Sequence, residues 1–126
     1  IFELADRLGP FIANAPPGVY LFGGEPIATL PEHPGRGGRN QSLALALSAH
    51  IAGREDISML VAGTDGTDGP TSAAGGLIDG TTWSKAKASD ALRRADAGTY
   101  LEQCGGLFAT GPTHTNVMDL LIAIVD

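Results

Sequence analysis

Apolar and polar residues form a pattern along the chain that predicts short helices alternating with buried strands. Residues 1–12 carry apolar side chains at roughly helical spacing, and we expect the Gly-Pro pair within them to end this helix. Residues 19–22 predict a short buried strand, and residues 27–30 are either its hairpin partner or a second strand. Residues 31–38 contain two prolines and three glycines, so we expect no regular structure there.

The clearest helix covers residues 41–52, which are rich in alanine and leucine and are followed by a glycine stop. A buried strand is predicted at residues 57–62, and residues 77–79 form a short apolar patch before a turn. Residues 83–101 indicate one or two helices broken near their only glycine, whereas residues 117–125 fit either a helix start or a strand. This alternation predicts an α/β fold, a layered domain with a mainly parallel or mixed sheet covered by helices.

The composition indicates one globular domain with many tight loops. The chain has 126 residues, of which 43% are hydrophobic, 18 are glycine and 8 are proline. Glycine and proline exceed their average frequency, but the apolar runs are long enough to form a core. At this length we expect a single α/β domain spanning residues 1–126. The first residue is Ile1 and both ends lie inside apolar segments, so we expect the chain to be a piece of a longer protein.

The charge and the cysteine content exclude several classes of partner and site. Eight basic and 14 acidic residues give a net charge of −6, which disfavours a nucleic-acid or anionic-membrane surface. No apolar run approaches the roughly 20 residues of a membrane span. The single Cys104 excludes an intramolecular disulfide and a multi-cysteine zinc site, and it fits a reducing compartment such as the cytoplasm.

A glycine-rich loop at residues 35–41 leads directly into the predicted helix and carries Arg36 and Arg39. Glycines allow the backbone to approach an anion closely, and a helix N-terminus presents free N–H groups. The two guanidinium groups add donors suited to a carboxylate or a phosphate. The loop therefore favours an anion site, and the alternative is a solvated turn in which Asn40 caps the helix.

A second glycine-rich loop, residues 63–71, follows a predicted strand, at the end of which open α/β sheets bind ligands. Asp65 and Asp68 supply oxygen ligands of the kind that Mg²⁺ or Ca²⁺ prefers. Ordinary Asp-Gly turns, with the carboxylates bonded to nearby backbone N–H groups, account for the same residues. The spacing leaves a metal site and a structural turn as equal alternatives.

A third polar loop, residues 111–116, offers Thr113 and Asn116 as neutral ligands and His114 as an acid or base, although a polar turn accounts for it as well. No G-x-G-x-x-G, G-x-x-x-x-G-K-[ST] or G-x-S-x-G motif occurs in the chain. These absences exclude a dinucleotide fingerprint, a Walker-type ATP loop and a nucleophile elbow from this sequence.

Four segments follow one another along the chain: GGEP at 23–26, GRGGRNQ at 35–41, LVAGTDGTDGPTSAAG at 60–75 and GPTHTNVMDL at 111–120. Together they resemble the C-terminal MOFRL domain of the class II glycerate kinase family, some members of which are named hydroxypyruvate reductases. The resemblance covers nearly all of residues 18–126. It implies an enzyme with two α/β domains whose active site lies in the cleft between them. In that enzyme a larger N-terminal domain supplies most nucleotide contacts and a catalytic lysine.

The resemblance implies that the parent enzyme transfers a phosphate from ATP to D-glycerate with Mg²⁺, giving 2-phosphoglycerate and ADP. Such chemistry needs anion clamps, a metal and positioning more than covalent help from the protein. By this resemblance Arg39 is the catalytic residue facing the substrate and the transferring phosphate, and Asp65 and Asp68 lie near Mg²⁺ or the glycerate hydroxyls. The other positions matched to substrate binding are Arg36, Asn40, Gln41, Thr113 and Asn116. His114 occupies a place where we expect a small residue such as glycine.

Two other functions remain as alternatives. One is a domain of a hydroxypyruvate reductase, for which any dinucleotide site would have to lie in the absent N-terminal domain. The other is a non-catalytic module that binds a metabolite or a metal, or that forms a homodimer or pairs with a partner chain through its apolar first segment. For the kinase, we expect the isolated chain to be inactive without its N-terminal domain.

Overall fold

The computed structural model describes all of residues 1–126 and contains four helices and five strands. In chain order these are α1 (Phe2–Ala13), β1 (Gly18–Gly24), α2 (Arg39–Ser48), β2 (Ile57–Gly63), β3 (Gly75–Asp79), α3 (Lys85–Arg93), α4 (Ala97–Cys104), β4 (Leu107–Phe108) and β5 (Asp119–Val125). The expected α/β class is therefore confirmed. None of the helices is both long and apolar enough to cross a membrane.

The strands form one sheet in the order β1-β5-β2-β3-β4, and every neighbouring pair is antiparallel. The strand directions thus differ from the expected mainly parallel or mixed sheet. Strands β1 and β2 do run in the same direction and are joined through α2, as the alternation predicted. However, β5 lies between them and pairs antiparallel with both. A local sequence pattern does not show which strands become neighbours, and the insertion of the last strand reverses the pairing.

Burial alternates along β5, and this identifies residues 117–125 as containing a strand rather than a helix start. Asp119, Leu121, Ala123 and Val125 are buried and face the helix layer, whereas the residues between them are more exposed. Helix α2 packs on β2 and β3 in that layer and buries most of its alanines and leucines. The main core therefore lies between α2 and the central strands.

The opposite face of the sheet carries no helix, although its side chains are apolar. Large aliphatic residues on three of the five strands remain substantially exposed on this face: Val19 and Leu21 on β1, Leu120 and Ile124 on β5, and Leu77 on β3. Apolar side chains on both faces are typical of sheets that are covered on both sides.

Two glycines expected to interrupt helices serve helix packing instead. Helix α1 continues through Gly9 and Pro10 to Ala13, and a Cβ atom on Gly9 would lie 2.3 Å from Cγ of His50. The break between α3 and α4 precedes Gly98, because the backbone turns at Ala95 with φ +52°. Gly98 lies inside α4, where its N–H donates to the Arg36 carbonyl oxygen at 2.8 Å. Both glycines are required for close approach rather than for ending a helix.

Two further boundaries differ from the predictions. Residues 27–30 form no strand, and the chain from 25 to 38 has no regular structure. The apolar side chains that suggested a strand are exposed, Ile27 at 82%. Helix α2 begins two residues earlier than predicted, at Arg39, and ends at Ser48. The earlier start matters for the site, because it places Arg39 in the first turn of the helix.

Candidate functional site

An open cleft of about 710 Å³ lies at the edge of the sheet where β1 and β2 end and β5 begins. The glycine-rich loops after β1 and after β2 form its walls, and the third loop reaches its rim. The polar side chains that line it belong to Glu25, Arg39, Asn40, Ser42, Asp65, Thr67, Asp68, Asn116 and Asp119. Four of these are carboxylates and one is a guanidinium, so the cleft has an acidic lining with a single cation.

Arg39 is the only basic residue that lines the cleft. Its Nε donates a hydrogen bond to Oδ2 of Asp119 at 2.8 Å, and its Nη1 lies 3.1 Å from Oε1 of Glu25. The hydrogen bond to Asp119 is the main cause that raises the pKa of the guanidinium, which is therefore always charged. Nη2 donates no hydrogen bond within the protein, and the side chain is 37% exposed. Nη2 is thus the nitrogen of this guanidinium that is available to an anion.

Asp119 is the buried carboxylate beside Arg39 that the sequence reasoning missed. Its side chain is only 7% exposed, and its backbone lies between Gly24 of β1 and Gly63 of β2 in the sheet register. The signal that could have found it is the two-residue period of the strand, which places Asp119 on the same buried face as Leu121. A carboxylate on that face needs a partner, and Arg39 is the partner.

Asp68 caps helix α2 with its side chain, although it lies 28 residues beyond Asn40 in the chain. Its Oδ1 accepts the backbone N–H of Asn40 at 3.0 Å, and its Oδ2 accepts that of Gln41 at 2.8 Å. Burial raises the pKa of this carboxyl group, and the two backbone N–H groups offset part of the rise. Two N–H groups predicted to bind a ligand anion are therefore occupied by Asp68. The alternative that Asn40 caps the helix is wrong, because the N-cap residue is Gly38.

We expect Asp68→Ala to lower the free energy of unfolding of the chain by about 2 kcal/mol or more, because two buried N–H groups lose their acceptors. Urea unfolding monitored by circular dichroism measures this change. Asp65→Ala is the matched control in the same loop, and a change within about 0.5 kcal/mol is expected there because its carboxylate is partly exposed. Equal effects of the two substitutions would contradict the capping role of Asp68.

Asp65 uses one carboxylate oxygen in a local turn and leaves the other unbonded. Its Oδ1 accepts the backbone N–H of Thr67 at 2.9 Å and the Thr67 hydroxyl at 3.1 Å, which is the Asp-Gly turn alternative. Oδ2 has no partner in the protein and belongs to a residue that lines the cleft. No group of three or more His, Cys, Asp or Glu side chains is placed to hold a metal ion. Metal binding by Asp65 and Asp68 stays a prediction, and only Asp65 has a carboxylate oxygen without a hydrogen bond.

The two amides that follow Arg39 differ in how they are used. Nε2 of Gln41 donates to Oγ1 of Thr71 at 2.9 Å, and the side chain is buried, so it ties α2 to the second loop. Asn40 is 1% exposed, yet its Oδ1 has no hydrogen-bond partner. Asn40 lies between the cleft and a smaller, mainly apolar cavity of about 290 Å³. Its amide is therefore the buried polar group that a ligand in the cleft would satisfy.

The third loop is held against the second loop by hydrogen bonds, as the polar-turn alternative predicts. The Thr113 hydroxyl donates to the Thr64 carbonyl oxygen, and Oδ1 of Asn116 accepts the Met118 N–H at 3.0 Å. Asn116 lines the cleft, whereas Thr113 does not. His114 is exposed and has φ +63°, a conformation that favours glycine, in agreement with the small residue expected at this position.

Arg36 lies outside the cleft, although it is only three residues from Arg39. Its guanidinium pairs with Glu102 on α4, and its backbone N–H donates to Oδ1 of Asp96 at 2.8 Å. These contacts join the first glycine-rich loop to α4. The structure thus separates the two arginines that the sequence grouped into one anion site.

Sequence comparison relates this chain to one protein family and to several known proteins. A model of the MOFRL family matches residues 18–119. The glycerate 2-kinase of Pyrococcus horikoshii is 44% identical over 128 residues, which cover 98% of this chain and 28% of that protein. The D-glycerate 2-kinase of Thermotoga maritima is 44% identical over 114 residues, covering 86% of this chain and 27% of that protein.

Two solved structures share the fold of this chain. The crystal structure of a glycerate kinase from Thermotoga maritima matches 97% of this chain and 33% of its own length, with a TM-score of 0.86 and 39% identity. A protein from Pyrococcus horikoshii of known crystal structure matches 98% of this chain and 31% of its own length, with a TM-score of 0.91 and 37% identity. The chain therefore spans less than a third of the length of the two curated glycerate kinases.

Proposed function

The chain belongs to the MOFRL family, and we propose that it is the C-terminal part of a two-domain glycerate 2-kinase that transfers a phosphate from ATP to D-glycerate. The observation that carries this proposal is Arg39, which lines an open polar cleft and whose guanidinium is held by Asp119 with Nη2 left unpaired in the protein. A positive group fixed where negative charge develops is the main requirement of phosphoryl transfer.

The acidic lining supports a role as one wall of a larger active site. Four carboxylates against one guanidinium repel a free triphosphate, so this wall needs positive charge from elsewhere. Mg²⁺ carried by the nucleotide supplies part of that charge, and it requires only one or two protein carboxylates because phosphates and waters complete its shell. Asp65, with an unbonded Oδ2 in the cleft, is the residue that suits this role. We assign most contacts to ATP, and a catalytic lysine, to the N-terminal domain.

The neutral groups of the cleft suit the hydroxyl groups of a small substrate. The buried amide of Asn40 lacks a partner for its Oδ1, and Asn116 stands at the rim. We assign these two residues to glycerate, with Arg39 on the transferring phosphate. Gln41, Thr113 and Arg36 act at a distance, since their hydrogen bonds hold the loops together rather than facing the cleft.

The uncovered apolar face of the sheet supports the assignment to a longer enzyme. Aliphatic side chains on three strands of the sheet lie exposed on it, the largest exposures being those of Val19 and Leu21. Covering such a face removes apolar surface from water, which is the main favourable term in docking of domains. We place the enzyme in the cytoplasm, a reducing compartment that suits its free, exposed Cys104.

The test is an assay of the full-length enzyme that follows ADP release and NADH absorbance in parallel. We expect ADP release that depends on both ATP and D-glycerate, with no oxidation of NADH by hydroxypyruvate. NADH oxidation without ADP release would establish the hydroxypyruvate reductase instead. The isolated 126-residue chain is expected to give no turnover, and measurable turnover by it would contradict the division of the active site between two domains.

A non-catalytic module makes a different prediction for the isolated chain. Calorimetric titration with D-glycerate, phosphate and Mg²⁺, together with analytical ultracentrifugation, separates the two cases. A stable dimer that binds none of these ligands, from a full-length protein without kinase activity, would favour the module.

A further inference from the structure

We propose that Asp119 is a positioning residue for phosphoryl transfer, because its buried carboxylate holds the guanidinium of Arg39 beside the cleft while Nη2 is left without a partner in the protein. This inference rests on the proposed function, in which Arg39 meets the transferring phosphate. It adds a residue that neither the motif spacing nor the resemblance had assigned. Asp119 acts through Arg39 and has no role of its own on the substrate.

The backbone on both sides of this ion pair is fixed. Asp119 opens β5 and is paired with Gly24 on one side and with Gly63 on the other, so its backbone is held within the sheet. Arg39 lies in the first turn of α2, whose N–H groups are capped by Asp68. An ion pair built on a strand and a helix holds its geometry more closely than one built on loops.

The hydrogen-bonding pattern distinguishes Arg39 from an arginine with a purely structural role. Arg54 donates through Nε and Nη2 to the same carboxylate, that of Asp56, both at 2.8 Å, and through Nη1 to the Ala13 carbonyl oxygen at 2.9 Å. All three of its nitrogens are therefore satisfied within the protein. Arg39 instead donates to Asp119 through Nε and pairs with Glu25 through Nη1, which leaves Nη2 without a partner in the protein.

The location of Asp119 also explains why its charge is needed. Its side chain is 7% exposed and lies beside a guanidinium that is 37% exposed, so the pair is partly shielded from solvent and salt. Glu25 contacts Nη1 from the exposed side, where its carboxylate is 57% accessible, and holds the guanidinium less firmly. The orientation of Arg39 therefore depends mainly on Asp119.

Loss of the Asp119 charge has opposite expected effects on binding and on turnover. Asp119→Asn leaves the positive charge of Arg39 less neutralised, so we expect the KM for D-glycerate to stay equal or to fall. The guanidinium loses its fixed direction, and we expect kcat to fall about ten- to a hundredfold. A substitution that merely reduced the folded fraction would lower the apparent kcat and the melting temperature without changing KM.

The experiment is a double-mutant cycle in the full-length enzyme with Asp119→Asn, Arg39→Ala and the pair together, measured by ADP release. In the Arg39→Ala background, we expect Asp119→Asn to change kcat less than twofold, since Asp119 acts only through Arg39. Asp56→Asn is the matched control, because it removes a carboxylate from an Asp–Arg pair outside the cleft, and wild-type kcat is expected. Asp119→Glu keeps the charge but displaces it, and it replaces Asp119→Asn if that variant does not fold.

Three results would overturn the inference while leaving the proposed function intact. These are an active wild type with unchanged kcat in Asp119→Asn, additive losses in the double mutant, and loss of the acid limb of the kcat–pH profile in Asp119→Asn. The last result would make Asp119 a general base. An inactive wild type would instead refute the proposed function. In that case, NMR of the Arg39 Nε–H group still tests the positioning contact. We expect its proton to exchange slowly with solvent in the wild type and rapidly in Asp119→Asn.

Discussion

In the full-length enzyme, Arg39→Ala is expected to lower kcat for D-glycerate phosphorylation about 10²–10³-fold, the loss typical of removing one fixed donor from a developing charge. The guanidinium is the only cation that lines the cleft, and its Nη2 has no partner within the protein. The loss is expected mainly in kcat, because the positioned guanidinium stabilises the charge that is spread over the equatorial oxygens of the transferring group in the transition state. Initial rates of ADP release at saturating ATP measure it.

Arg36→Ala provides the matched control, since it removes an arginine from the same loop. Arg36 pairs with Glu102 on α4, at an exposed position outside the cleft, so its loss is expected to affect kcat only slightly. Thermal unfolding of both variants shows whether either loses its fold. Near-wild-type kcat in Arg39→Ala would remove Arg39 from the catalytic machinery, and equal losses in the two variants would assign the effect to the loop as a whole.

Features that depend on neighbouring residues could be predicted from the sequence. The strand at 57–62, the helix that follows the first glycine loop and the α/β class all follow from periods of apolar residues, which are local. The positions of the three polar loops were likewise predicted, because glycine, proline and aspartate favour turns. The three loops meet at one cleft in the structure, and their order along the chain did not show which of their side chains would line it.

Features that depend on the pairing of distant segments could not be predicted. Insertion of β5 between β1 and β2 brings Asp119 beside Arg39, 80 residues earlier in the chain, and no local pattern encodes that neighbour. The same holds for Asp68, whose carboxylate caps α2, a contact that its position in a glycine-rich loop did not indicate. Arg36 and Arg39 are nearly adjacent in sequence, yet they have different partners. Arg39 lies in the first turn of α2 and pairs with Asp119 at the cleft, whereas Arg36 lies in the preceding loop and pairs with Glu102 of α4.

The contact between the two glycine-rich loops makes Gly38 a position beside the cleft where even a small substitution is expected to disturb the fold. A Cβ atom on Gly38 would lie 2.3 Å from Cγ of Asp68 and 2.4 Å from its backbone carbonyl carbon. The added methyl group therefore cannot be accommodated by rotating a side chain, and the backbone around Asp68 must move. That movement separates the carboxylate from the N–H groups of Asn40 and Gln41, which it caps.

Gly38→Ala is expected to lower the free energy of unfolding of the chain by about 3 kcal/mol or more, which combines overpacking with the lost cap. In the full-length enzyme it is also expected to lower kcat, because the neighbouring residue is Arg39. Gly24→Ala is the matched control, since a Cβ atom there meets nothing within 4 Å, and stability equal to or up to about 1 kcal/mol above wild type is expected. Urea unfolding of the two variants measures the difference. Equal stabilities would show that the loops can separate without cost, and the cleft would then not depend on the contact between Gly38 and Asp68.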